Sequence, residues 1–157
     1  MALLLPTNDR PHTKLLLEHF DRHERLGVDF DGTLVDHDRS ALIQQYILDH
    51  PEKDFHIVTF RSHGMQDRIE RDLWSSSKDT GVDITLAAFT GIHNIQDGLY
   101  ESHLALKGDP NYWAWKAVKC AQLSCTIMID DMAEQIYKEC ISRGIEIVSP
   151  DDFDFED

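Results

Sequence analysis

The chain has 157 residues and a mass of 18.1 kDa, which suits one domain with a full hydrophobic core. Fifteen Lys and Arg against 29 Asp and Glu leave a net charge of −14, a field that repels nucleic-acid backbones and anionic membrane surfaces. Three cysteines without a CxxC pair and nine scattered histidines without HExxH suggest neither a disulfide framework nor a zinc centre, so a cytoplasmic, reducing setting is expected.

The opening residues 1–6 lack a basic segment, so no signal peptide is expected, and no apolar run approaches membrane-spanning length. Leu15, Leu16, Leu17 and Phe20 predict a helix around 12–20, and a strand follows at about 26–30. Ser40 is placed to cap a helix over about 41–49, with Leu42, Ile43, Tyr46 and Ile47 on one face and Pro51 closing it. Residues 55–60 read as a buried strand, and Met65, Ile69 and Leu73, four apart, predict an amphipathic helix over 65–74. Ile84 to Phe89 read as a third strand. Asp109 as cap and Pro110 in the first turn start a helix running to about 122. Cys125 to Ile129 form a strand ending in Asp130 and Asp131. Met132, Ile136, Tyr137, Cys140 and Ile141 mark a helix that Gly144 stops, and Ile145 to Val148 form the last strand. Strands alternating with helices predict an α/β fold: a doubly wound, Rossmann-like, three-layer α/β/α domain with a mostly parallel five-stranded sheet. One domain spans 1–157, with its core over about 24–150 and a solvated tail, 151–157, holding five acids in seven residues.

Residues 27–35, Gly-Val-Asp-Phe-Asp-Gly-Thr-Leu-Val, carry the strongest chemical signal. Asp29 and Asp31 stand two apart where a strand ends, so both can converge on one spot. Gly32 lets the backbone turn sharply and approach a ligand. Adjacent carboxylates repel unless a cation sits between them or one holds a proton, which points to a divalent metal, a nucleophile with an acid/base partner, or both. In a doubly wound sheet ligands sit beyond the carboxyl ends of the strands, where Thr59, Asp130 and Asp131 also collect. Acidic oxygen donors suit Mg²⁺, and Thr59 offers a hydroxyl and a backbone N–H to a phosphate oxygen.

The run through Asp29 and Asp31 resembles the nucleophile motif of the haloacid-dehalogenase-like (HAD) superfamily, whose members are mostly Mg²⁺-dependent phosphatases. The likeness extends over about 26–148 and implies roles residue by residue. Asp29 would be the nucleophile that forms an aspartyl-phosphate. Asp31 would be the general acid and then the base that activates water. Thr59 would hold the phosphoryl group. Asp130 and Asp131, with Asp29 and the backbone carbonyl of Asp31, would bind Mg²⁺. For the phosphate-binding lysine, the stretch from Lys107 resembles the family's K-P-x-P-x-x-F form and lies 23 positions before Asp130. Lys116 is the rival, but its mid-helix place suggests a solvated face, so Lys107 is preferred. The acid at position 31 marks phosphoryl chemistry rather than dehalogenation. Neither G-x-x-x-x-G-K-[ST] nor G-x-G-x-x-G occurs, which leaves out the P-loop and dinucleotide-binding alternatives.

Family members usually insert a cap domain after the first motif or between the second and third. Neither the interval from Asp31 to Thr59 nor that from Phe89 to Lys107 has room for one, so an open, capless site is expected. Such a site suits bulky substrates such as phosphoproteins or nucleic-acid ends, unless a homo-oligomer partner supplies a lid, and the expected partner is a phosphorylated small molecule or macromolecule. Arg61, His63 and Arg68 follow Thr59 and could meet a second anionic group, as in a nucleotide. Residues 129–153 resemble the closing stretch of phage polynucleotide kinase phosphatase domains, although the net charge disfavours polynucleotide. Trp113 and Trp115 are expected half in the core rather than as a base-stacking platform. Two functions are carried forward: a phosphohydrolase, with nucleotides or polynucleotide ends as alternative substrates, and a non-catalytic phosphate- and metal-binding protein.

Overall fold

The computed structural model describes residues 18–61, 66–95 and 110–151. The expected helix start at 12–17, His63, Met65, Lys107, Asp109 and the end of the acidic tail lie outside these residues. Five strands form one sheet in the order β3-β2-β1-β4-β5: β1 (Arg25–Val28), β2 (Asp54–Thr59), β3 (Gly91–Asn94), β4 (Ile127–Ile129) and β5 (Glu146–Val148). Every pairing is parallel, with Val28 opposite Ile57 on one side and Ile129 on the other. Beyond a helical stretch at 18–21, the helices among the described residues are α1 (Ser40–Asp49), α2 (Gln66–Thr80), α3 (Pro110–Gln122) and α4 (Ala133–Ile141).

Strand side chains alternate between the two faces, and each face has its own core. Leu26, Val28, Phe55, Ile57, Ile127 and Ile129 pack with Ile43, Tyr46 and Ile47 of α1 and Ile69 and Leu73 of α2. Val58 and Met128 pack on the other face with Tyr112, Trp115 and Cys120 of α3 and Ile136 and Cys140 of α4. Gly27 marks where α3 lies tight on the central strand, since a Cβ there would come within 2.8 Å of Cys120 Sγ and 2.9 Å of Met128 Sδ.

The order reverses beside β1, which creates the crevice expected of a doubly wound sheet at the carboxyl ends of β1 and its neighbours. Between Asp31 and Thr59 the chain holds a loop, α1 and β2, and the described residues place no large cap over that crevice. No helix among the described residues is long and apolar enough to cross a membrane.

The third strand differs from expectation. Residues 84–89 do not pair; Thr85 Oγ1 accepts from Ala87 N–H and caps a 3-10 turn at Leu86–Ala88. The strand begins only at Gly91, opposite His56. The apolar run instead covers the first core with Ile84, Leu86, Ala88 and Phe89. Ser40 is the first residue of α1 rather than its cap: its hydroxyl donates to the Thr33 carbonyl at 2.9 Å and accepts from His37 N–H at 3.1 Å. α2 runs six residues beyond the expected end at 74, to Thr80.

Candidate functional site

Strand parity brings the first elements together. Asp29 and Asp130 both leave their strand ends towards the α3 face, and the Asp29 N–H continues the ladder by donating to the Ile129 carbonyl at 2.9 Å. From α3, Lys116 reaches between them, its Nζ donating to Asp29 Oδ1 and to Asp130 Oδ2, each at 2.6 Å. All three are buried: Asp130 is 0 % exposed, Lys116 1 % and Asp29 5 %. The Lys116 ammonium also lies 4.4 Å from the centre of the Phe60 ring, whose other contacts include a stack on Tyr112.

Lys116 is therefore not the surface lysine expected from its mid-helix position. Tyr112, Lys116 and Cys120 are four residues apart on the buried stripe of α3. Lys107, preferred from the sequence, lies outside the described residues. The helix period was the available signal: a lysine spaced four residues from two core residues points into the core.

Asp131 completes an acidic group. One ligand oxygen from each of Asp29, Asp130 and Asp131 lies within 4.8 Å of the others. Thr33 ties this group to the loop after β1, its hydroxyl donating to Asp29 Oδ2 at 3.1 Å and accepting from the Asp131 N–H at 3.0 Å. Gly32, at φ 76°, brings the backbone against Asp131, and a Cβ there would overlap the Asp131 carboxylate. Asp130 is fixed by the Met132 N–H, which donates to Oδ1 at 2.8 Å.

Burial alone would lower the Lys116 pKa, but the charges of Asp130 and Asp29 and hydrogen bonds to both outweigh it and hold the ammonium above the ordinary lysine range. Asp29 is pushed well above the usual carboxylate value, first by burial and further by Asp130, against the opposing pull of Lys116. Asp131 is raised as well, again chiefly by burial. Two buried carboxylates and a third, exposed one stand against one ammonium, an excess of two negative charges when all are ionised. Hard oxygen donors with that surplus match a divalent cation such as Mg²⁺.

The Asp31 side chain is not in this group. It is 51 % exposed and turned to Arg61, whose Nε donates to Oδ2 at 2.8 Å and Nη2 to Oδ1 at 2.7 Å. Arg61 Nη2 also meets Asp72 of α2 at 2.8 Å, and its guanidinium lies 4.8 Å from the centre of the Phe30 ring. Thr59 is buried at the end of β2, its Oγ1 accepting the Arg61 N–H at 3.0 Å. Arg68 is exposed on α2. Trp115 is fully buried and Trp113 half-buried; a groove of about 850 Å³, lined in part by Trp113, Asp131, Tyr137 and Ile147, opens beside the acidic group.

The residues singled out in the sequence thus form two arms. One is buried and comprises Asp29, Asp130 and Asp131; the other, at the mouth, comprises Asp31, Arg61 and Thr59. Thr33 and Asp72 join them as residues whose roles the sequence reading did not assign, and Lys116 joins the buried arm in place of the solvated face expected of it. Compared with protein-family models and with curated proteins, the chain finds no match in either.

Proposed function

We propose that this chain is a Mg²⁺-dependent phosphohydrolase that cleaves a phosphate monoester through an aspartyl-phosphate on Asp29, in an open site without a large cap. The reading rests on one observation: a buried lysine bridges two strand-end aspartates, and a third carboxylate stands within ligand distance of both. That arrangement combines an oxygen nucleophile with fixed positive charge where negative charge would build up.

In this mechanism a carboxylate oxygen of Asp29 attacks phosphorus while the bond from phosphorus to the leaving oxygen breaks. Asp31, protonated at that stage, gives its proton to the leaving oxygen. Water then attacks the phosphoryl group and passes a proton to Asp31, which releases inorganic phosphate and restores Asp29. Lys116 favours the ionised form of Asp29 against burial and orients it, and Thr33 holds its other oxygen. Thr59 and Arg61 line the side of the mouth from which phosphoryl oxygens can be held. Mg²⁺ carried by Asp29, Asp130 and Asp131 would offset the charge on those oxygens.

The test is phosphate release from a generic aryl phosphate with and without Mg²⁺, extended to nucleotides, sugar phosphates, phosphopeptides and 3′-phosphorylated oligonucleotides. Mg²⁺-dependent turnover that disappears in Asp29→Asn is expected. One observation favours a second reading, a phosphate- and metal-binding protein without turnover: both oxygens of Asp31 are already engaged by Arg61. Metal-loaded, folded protein that binds phosphate but turns over no ester in the panel would decide for it.

A further inference from the structure

Arg61 is held from several directions. Its N–H donates to Thr59 at the end of β2, and its carbonyl accepts from Asn94 Nδ2 at the end of β3, at 3.0 Å. The side chain rests on Phe30, the residue between the two motif aspartates. Asp72, a turn and a half into α2, engages the same Nη2 nitrogen that donates to Asp31. Arg61 Nη1 is buried and makes no hydrogen bond among the described residues, so packing alone holds the guanidinium on that side. The Asp31 side chain is exposed at the mouth, on a tight turn whose Thr33, Leu34 and Val35 are buried, and its described side-chain bonds are those to Arg61.

We propose that Asp72 is a positioning residue for the proton-transfer step: through Arg61 it sets where the Asp31 carboxyl stands relative to the leaving oxygen. This rests on the phosphohydrolase reading above. An arginine that serves two carboxylates with one nitrogen is a rigid spacer, because its fork is planar and its donors are fixed in angle. Without Asp72 the fork keeps only Phe30 and Asp31 itself as described side-chain partners, and the exposed Asp31 carboxyl loses the one fixed carboxylate that shares its arginine. Asp72 touches neither the acidic group nor Lys116 among its described contacts, so the nucleophilic half of the site is left as it was.

A defect in placing the proton donor has a signature that general damage lacks: it grows as the leaving group becomes more basic. Wild type, Asp31→Asn, Asp72→Asn and Asp72→Glu are compared on an aryl phosphate with an acidic leaving group and on an alkyl phosphate, with thermal melts of each. Asp72→Asn is expected to lower kcat on the alkyl ester about tenfold, a share of the roughly hundredfold or more that general acid–base catalysis supplies, while changing the aryl ester less than about threefold. Asp72→Glu should recover most of the alkyl rate. Equal losses on both esters, or no loss on either while Asp31→Asn shows the leaving-group dependence, would overturn the positioning role and leave the phosphohydrolase reading standing. Absence of turnover in the wild type on every ester would overturn both.

Discussion

Replacing Lys116 with Met keeps the length and apolar stem of the side chain and removes only the ammonium. The structure sets the scale of the loss. Nζ donates to two carboxylates at 2.6 Å, one 5 % and the other 0 % exposed, so its removal strands two buried anions together with the nearby Asp131. Removing one partner of a buried ion pair costs about 3–5 kcal/mol. For a chain of this length that lowers the melting temperature by roughly 10 °C or more. Urea unfolding with EDTA measures the loss, and two accompanying measurements identify its cause. Lys116→Met/Asp130→Asn should regain part of the stability, because one stranded charge is gone. Millimolar Mg²⁺ should stabilise Lys116→Met more than wild type, because a cation then replaces a cation. Turnover of Lys116→Met should fall about a hundredfold or more, the scale for one electrostatic group facing a reacting oxyanion. A metal-free variant within 1 kcal/mol of wild type would refute the charge argument. A folded variant with undiminished turnover would return the phosphate-binding role to Lys107.

Asp29→Asn should abolish turnover yet leave metal-free protein at least as stable as wild type near pH 8. Burial raises the Asp29 pKa, so its ionised form penalises folding as pH rises past the ordinary carboxylate value, and the amide has no such penalty; urea midpoints against pH in EDTA check this. Gly32→Ala should weaken Mg²⁺ binding, read by calorimetry, and cost about 1–2 kcal/mol in urea, since residue 32 has φ 76° and a Cβ there meets Asp131. His56 is held below the usual histidine pKa, first by burial, so the unfolded chain binds its proton more readily. Its contribution is complete above pH 6.5 and is lost as pH falls from there towards the folded value. His56→Gln should flatten the pH dependence of the urea midpoint between pH 7 and 5, and an unchanged slope would count against that assignment.

Much of the fold was legible because the strands are short, apolar and separated by amphipathic helices, so periodicity alone recovers β1, β2, β4 and β5. The third strand was misplaced because residues 84–89 have the composition of a buried strand and are indeed partly buried, while the paired segment, Gly91–Asn94, is polar. Composition cannot separate an edge strand from the cover of a core; hydrogen bonding decides. Asp29, Asp130 and Asp131 were legible as a group because strand ends of a doubly wound sheet converge. Lys116 was misread because charge was taken to mean solvent, although its spacing from Tyr112 and Cys120 placed it on the inner stripe. The separation of Asp31 from the acidic group was not legible, because it depends on Arg61 and Asp72 meeting it from β2 and α2.

The two arms of the site belong to different hydrophobic cores. Asp29 and Asp130 meet Lys116 over the layer of Tyr112, Trp115, Cys120 and Met128, whereas Arg61 rests on Phe30 and Asp72 rides on the helix that contributes Ile69 and Leu73. Drift in side-chain volume within the α1–α2 layer can therefore re-aim the mouth while the buried charges keep their spacing. Lineages that share the inner arm are free to diverge in what they accept, and a library confined to the α2 side is where altered selectivity should be sought first.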